Sequence, residues 1–406
     1  MYKKTRVTLC VLFIVIRLFS QSDDNFRNEK LMQATRMAQE ILILDSHLDV
    51  PFRLSNNFED ISVRTNHGHF DYPRAVMGGL NVAFFAVFVP SDLQKKGGAK
   101  AKAEEQIDLI YGLQNKWPEK FRVIHSTSEV KKYYPSNMIL LGIGLENGAA
   151  IEDQMANLKH FYQRGIRYIT LTHSKNNRIC DSSFDDEKLW NGLSPFGVEV
   201  IREMNRLGIM VDVSHVSDQA FWQIVEISQA PIIASHSACR FFTPNFERNL
   251  DDEMIKAIAH KGGVIQIAFG SFFLTQEFSQ RAEMIRKKVT QYVVDNNLTE
   301  QDSLTRIYIE KVKNEYPAQP GTIVDLVNHI DHVVKLVGIN YVGLGSDFEG
   351  VGVLPVGIKD VSSYPEIILE LLNRGYSEHE IQQICGDNFL RVWAKVEERS
   401  RQLSEY

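Results

Sequence analysis

Ile41-Leu42-Ile43-Leu44-Asp45-Ser46-His47-Leu48-Asp49-Val50 begins as an uninterrupted apolar run and ends in ionisable side chains. Aliphatic residues at consecutive positions make a strand buried on both faces, the pattern of a parallel sheet covered by helices. Seven more runs of this kind follow, at 81–89, 138–147, 168–173, 208–215, 231–237, 263–270 and 341–348. Segments with helical spacing of apolar residues separate them, as in 195–207 and 251–260, with Pro195 and Asp251 or Asp252 at helix-start positions. Eight such strands alternating with helices predict an α/β fold, a closed (β/α)8 TIM barrel of the metal-dependent hydrolase type. The long charged stretch from Thr275 to Tyr316 carries a helical pattern and no strand signal. It is expected to be a helical insertion between the seventh and eighth strands, acting as a lid or dimer element.

Composition agrees with one large folded unit. The chain has 406 residues, 44% of them hydrophobic, which is enough to bury a sizeable core and excludes disorder or a disulfide-stapled miniprotein. A formal charge of -6 with no long basic block argues against nucleic acid as a partner. After residue 30 no repeat, low-complexity tract or Pro/Gly-rich linker divides the chain, so a single barrel domain is expected over 21–406.

The first twenty residues differ from the rest. Lys3, Lys4 and Arg6 precede a mainly apolar run from Val7 to Ile16, and a polar stretch begins at Gln21. This reads as a secretory signal peptide over 1–20, since the run is about half the ~20 residues that span a bilayer. A permanent amino-terminal anchor is the alternative. The expected destination is the periplasm or the medium, with no stable membrane span in the mature chain. Cleavage would leave Cys180, Cys239 and Cys385, an odd number with no CxxC or CxxH spacing, and hence neither a disulfide framework nor a thiolate metal site.

The chemistry collects at the strand ends. Strand one ends in His47 and Asp49, strand three in Glu146, strand four in His173, strand five in His215, strand six in His236 and strand eight in Asp347. In a barrel these ends share one rim, where active sites of this fold are built. Any one of them reads equally well as a turn former or helix cap; six of eight ends carrying such groups do not. His47 and Asp49, two apart, project to the same side of an extended strand end and can grip one ion. Three imidazoles and two carboxylates without a thiolate suit Zn²⁺ or a similar divalent ion. Five ligands exceed what one catalytic zinc with an open position takes, and two ions sharing a carboxylate accommodate them better. Asp45 and Asp212 either orient ligand imidazoles or cap turns. His160, His260, His329 and His332 fall in helical or pre-strand segments and are expected to be surface or supporting residues. Arg248, twelve residues beyond His236, can reach the rim.

These residues sit in Asp45-Ser46-His47-Leu48-Asp49-Val50-Pro51, Gly144-Leu145-Glu146-Asn147-Gly148, Tyr168-Ile169-Thr170-Leu171-Thr172-His173, Val211-Asp212-Val213-Ser214-His215, Ala234-Ser235-His236-Ser237, Arg248-Asn249 and Gly343-Leu344-Gly345-Ser346-Asp347-Phe348. In that order the chain resembles the membrane (renal-type) dipeptidases, zinc metallopeptidases of the amidohydrolase superfamily. The resemblance implies a dipeptidase with two Zn²⁺ per chain: His47 and Asp49 on one, His215 and His236 on the other, and Glu146 bridging both. It also implies that a hydroxide between the metals attacks the peptide bond of a dipeptide. His173 contacts the scissile carbonyl, Arg248 binds the substrate's terminal carboxylate and Asp347 handles the proton. A homodimer is implied as well. Whether a D-residue is accepted at the C-terminal position is left open.

Two departures stand out. Lys175 occupies the place of a disulfide cysteine of the animal enzymes, and Glu349 replaces the usual Asp after Asp347-Phe348. Competing readings are another binuclear amidohydrolase, such as a lactonase or acyl-amino-acid deacylase, and an inactive exported binding protein. Against the first, related barrels commonly bridge their metals with a carbamylated Lys after strand four, where this chain has His173. Against the second, every ligand position holds a working residue type.

Overall fold

The computed structural model describes residues 28–299 and 302–405; the segment 1–20, expected from the sequence to be a signal peptide, lies outside them. Among the described residues nine strands form: β1 Ile43–Leu48, β2 Leu80–Phe88, β3 Phe121–Val123, β4 Ile139–Glu146, β5 Ile166–Thr170, β6 Met210–Asp212, β7 Ile232–Ser237, β8 Val264–Ile267 and β9 Val342–Leu344. Eight of them pair in parallel in the order β1-β2-β4-β5-β6-β7-β8-β9, and each falls on one of the apolar runs. The short β3, which the sequence did not signal, pairs with β4 outside that path. The first and last strands meet through the parallel bridge Leu48↔Phe348. There Asp49 N donates to Phe348 O at 2.9 Å and Asp347 N to His47 O at 3.0 Å, bringing the eight-stranded TIM barrel nearly to closure.

Register decides which rim residues become neighbours. Phe88 pairs with Glu146, Glu146 with Thr170, and Thr170 with Asp212, so residues more than a hundred positions apart lie at one level. Below that level the interior is filled. Tyr168 lies across the barrel where a Cβ on Gly144 would come within 2.0 Å of its ring, so only glycine leaves it room. The helix Asn388–Ser404 closes the opposite end with Phe389 and Trp393, whose rings lie 5.1 and 5.4 Å from that of Phe84. Burying aromatic side chains of this size contributes roughly 2–3 kcal/mol each. The rim therefore rests on a packed core.

The insertion between β8 and β9 is an antiparallel pair, Gln276–Asp295 and Ser303–Glu315, entered through the short helix Ser271–Leu274. The pair buries little beyond Phe278, Ser279, Thr305 and Val312. Tyr292 stacks on Tyr308 at 3.9 Å, and Arg281 Nη2 donates to Lys313 O at 2.9 Å. The pair is thus held mainly to itself. No helix among the described residues is long and apolar enough to cross a membrane.

Of the two positions expected for His329, surface or supporting, the structure shows the second. It is fully buried, accepts from Cys239 N at Nδ1 (2.9 Å) and lies 3.1 Å from Leu274 O at Nε2, tying the loops after β7 and β8 together. Burial holds its imidazole down to about 4, so it stays neutral. His160 pairs with Glu104 and His332 with Asp252, while His260 is exposed. Cys180, Cys239 and Cys385 are all buried, unbridged thiols.

Candidate metal centre

All eight site residues expected from the sequence lie at the C-terminal rim, and four imidazoles gather around the Glu146 carboxylate. Its two carboxylate oxygens face different partners. Oε2 lies 3.6 Å from His47 Nε2, which is itself 3.6 Å from Asp49 Oδ2. Oε1 lies 3.3 Å from His215 Nε2, 3.4 Å from His236 Nε2 and 3.7 Å from His173 Nε2. Asp347 joins the group of His47 and Asp49. Gly350 backs onto both carboxylates, where a Cβ would come within 2.3 Å of Asp347 Oδ1 and Asp49 Oδ2.

Several of these atoms are buried without a hydrogen-bond partner: His47 Nε2, Asp49 Oδ1, His173 Nδ1 and His215 Nδ1. Orphaned polar atoms in a folded interior are uncommon, and the residues that carry them belong to three groups, His47 with Glu146 and His236, Glu146 with His173 and His215, and His47 with Asp49 and Asp347, whose ligand-type atoms lie within 4.8 Å of one another, a donor set that suits a divalent cation. Burial keeps His215 and His236 well below the usual imidazole range, leaving neutral rings with lone pairs for an ion. Against the pull of burial, Glu146 and Asp49 carry His47 well above it. Glu146 stays ionised: His47 and His173 overcome the effect of burial and hold it well below the ordinary value. Asp347 goes the other way, since burial and then the neighbouring Asp49 raise its carboxyl well above the usual range.

The local backbone is shaped for this. His215 and Asp347 sit at φ 71° and 62°, left-handed values that a side-chain-bearing residue adopts at a cost of about 1–3 kcal/mol. Both follow strands, and the turn swings each side chain inward over the barrel mouth.

Supporting partners fix the rings. His236 Nδ1 lies 2.8 Å from Ser235 Oγ, which donates to Asp212 Oδ2 at 2.5 Å. With that O–H committed, Nδ1 carries the proton and Nε2 keeps its lone pair. Asp212 thus acts through Ser235, and Thr170 Oγ1 shares its carboxylate. His47 is oriented by Tyr168, whose hydroxyl is 2.8 Å from Nδ1. Asp45 touches no ligand ring; it accepts from the amides of His47 and Ser346 and from Tyr364 Oη, and so shapes the strand end. Tyr168 carries a signal in the sequence itself. With Thr170 and Thr172 it makes an alternating polar set against Ile169 and Leu171, which marks the interior face. Tyr168→Phe should fold but bind metal about 10–100-fold more weakly, as read by chelator competition; unchanged affinity would show that His47 needs no such partner.

Arg248 is 3% exposed and held by donation from Nη1 to Ser237 Oγ (2.7 Å) and from Nη2 to His236 O (2.6 Å). Its Nε is buried and unpartnered, and the guanidinium stacks 5.0 Å from the Phe273 ring. Burial lowers it to about 10, so it remains a cation. Lys175 pairs with Asp185 at 3.2 Å. Glu349 accepts from His69 N (2.6 Å) and Phe70 N (3.1 Å), anchoring the loop after β1 to the rim. Above the site lies a cavity of about 340 Å³ whose walls include Phe52, Phe88, Phe184, Phe272 and Phe273.

A parallel barrel with imidazoles and carboxylates gathered at its rim around unsatisfied buried donors defines a metal-dependent hydrolase. The match to known proteins narrows the class. Residues 31–406 match the family described as membrane dipeptidase (Peptidase family M19), and the chain belongs to that family of metallo-dipeptidases. Dipeptidase verJ of Clonostachys rogersoniana is 31% identical over 392 residues, covering 93% of this chain and 90% of the relative. Among solved structures, the probable dipeptidase PvdM from Pseudomonas aeruginosa is 26% identical with a TM-score of 0.80, covering 92% of this chain and 99% of that one. A metallo peptidase from Rhodobacter sphaeroides, solved with a phosphinate mimic of the dipeptide L-Ala-D-Ala, shares the fold at 23% identity and a TM-score of 0.72, over 88% of this chain and 99% of that one.

Proposed function

We propose that the chain hydrolyses free dipeptides at a two-metal centre, with His47 and Asp49 on one ion, His215 and His236 on the other and Glu146 between them. The observation that carries this reading is the split orientation of Glu146, with one oxygen toward His47 and the other toward His215 and His236. Three imidazoles and two carboxylates favour zinc. Two bound zinc ions would supply an acidified bridging water as nucleophile and positive charge to polarise the carbonyl.

The protein's own groups account for the rest. His173, beside Glu146 and half-buried, is placed to donate to the scissile carbonyl oxygen as negative charge develops there. Asp347, next to Asp49 and with its carboxyl raised, takes the proton from the attacking water and returns it to the leaving amine. Arg248 has three N–H groups left after its bonds to Ser237 and His236, including the unpartnered Nε. These hold the C-terminal carboxylate and set the register that restricts the enzyme to short substrates. Export through the amino-terminal segment, a single-domain organisation over 21–406 and a homodimeric state belong to the same reading.

The test is hydrolysis by zinc-reconstituted protein of dipeptides beside their C-terminal amides. The panel includes L,D pairs because the Rhodobacter protein holds an L-Ala-D-Ala mimic. Free acids should be cut and amides spared. Equal cleavage of both would remove Arg248 from substrate binding, and failure on all dipeptides would return the lactonase and deacylase readings.

A further inference from the structure

The cavity above the metal ligands has few polar groups beyond those assigned to the reaction. Asp49, Glu146, His173, His215 and Asp347 form its reactive side, and the rest of the lining is five phenylalanines, Glu349 and Gly350. Glu349 is already committed. Its Oε1 accepts two backbone amides and lies 3.3 Å from Arg53 Nε, so its charge is matched within the wall. A charged substrate side chain entering here would leave water without a partner, which is costly. An apolar one would bury its surface against rings.

The rings form two walls. Phe52 and Phe88 meet edge to face at 5.0 Å, and Phe88 packs on His173 at 4.7 Å. In a second group, Phe272 lies 3.9 Å from Phe273, and Phe246 backs both Phe184 (6.0 Å) and Phe272 (6.1 Å). Phe272 and Phe273 come from Ser271–Leu274, the turn that leads into the helical insertion. The insertion thus shapes the entrance through its first turn, while its two long helices lie further along the chain. Phe273 also carries the Arg248 guanidinium, so this second wall stands beside the group assigned to the terminal carboxylate.

Resting on the dipeptidase reading, we propose that the substrates are dipeptides with large apolar side chains, the C-terminal one held by the Phe184–Phe272 wall and the N-terminal one by the Phe52–Phe88 wall. The experiment compares kcat/KM of the zinc-loaded protein on Ala-Ala, Phe-Ala, Ala-Phe, Lys-Ala, Ala-Lys, Asp-Ala and Ala-Asp. The aromatic pairs should exceed Ala-Ala by about tenfold or more, and the charged pairs should fall below it by a similar factor. Phe272→Ala should erase the gain for Ala-Phe relative to Phe-Ala, and Phe52→Ala should do the reverse, with the thermal unfolding midpoint and bound metal of each variant as the sign of an intact fold. Charged and aromatic pairs cut alike, with Ala-Ala cleaved normally, would overturn the aromatic subsites and leave the dipeptidase reading standing. No turnover of any pair would overturn both. If a variant loses Ala-Ala turnover as well, the unmodified protein's ranking decides.

Discussion

Asp347→Asn should lower kcat by about 10²–10⁴-fold while metal content stays unchanged. The substitution keeps the size of the side chain while removing its charge and its capacity to accept and return a proton. Asp347 is well placed for that exchange, because burial and Asp49 raise its carboxyl while the turn at φ 62° holds it over the barrel mouth. A kcat loss without a matching rise in KM is what a group active mainly in the transition state produces. Near-normal turnover with metal retained would remove the proton-transfer role.

On the proposed two-metal reading, Glu146→Gln should reduce bound metal by one ion per chain and kcat by about two to three decades, since each metal would stabilise the transition state by several kcal/mol. The reason is geometric. Each oxygen of Glu146 faces its own set of imidazoles, so an amide leaves one side with an N–H group that cannot ligate. Metal analysis and turnover should fall together. Two ions retained at near-normal rate would mean that Glu146 does not bridge. A further distinction from Asp347→Asn follows: added zinc should partly restore the Glu146 variant and leave the Asp347 variant where it was.

The barrel was legible because parallel strands buried on both faces leave uninterrupted apolar runs, and all eight barrel strands fall on them. The runs overshoot the regular ladders at the rim. The run ending at His215 contains β6 only as Met210–Asp212, because the chain turns into a left-handed value at His215. The run ending at Phe348 contains β9 only as Val342–Leu344, for the same reason at Asp347. Those departures occur where the functional side chains sit. The β3 segment Phe121-Arg122-Val123 gave no signal, being three residues with a charge at the centre. The clustering of the rim residues was legible because His and Asp at strand ends share one rim whatever their separation in sequence. Tyr168 and the phenylalanine walls were not read as part of the site, since an aromatic residue in a sequence reads first as core. Only the folded rim separates Phe273, beside Arg248, from Phe389, under the barrel floor.

The barrel's seam runs through the site. β1 and β9 touch through the Leu48↔Phe348 bridge and the amides of Asp49 and Asp347, and those two carboxylates lie on either side of the join. An ion gathering His47 and Asp49 next to Asp347 therefore acts as a clasp between the first strand of the chain and the last. By mass action, every tenfold excess of metal over its dissociation constant adds about 1.4 kcal/mol to the folded state. Deuterium exchange should register this at the two seam amides before anywhere else in the barrel, slow in the loaded protein and fast after chelation. Starved of metal, the barrel would loosen first along the line where its own ends are joined.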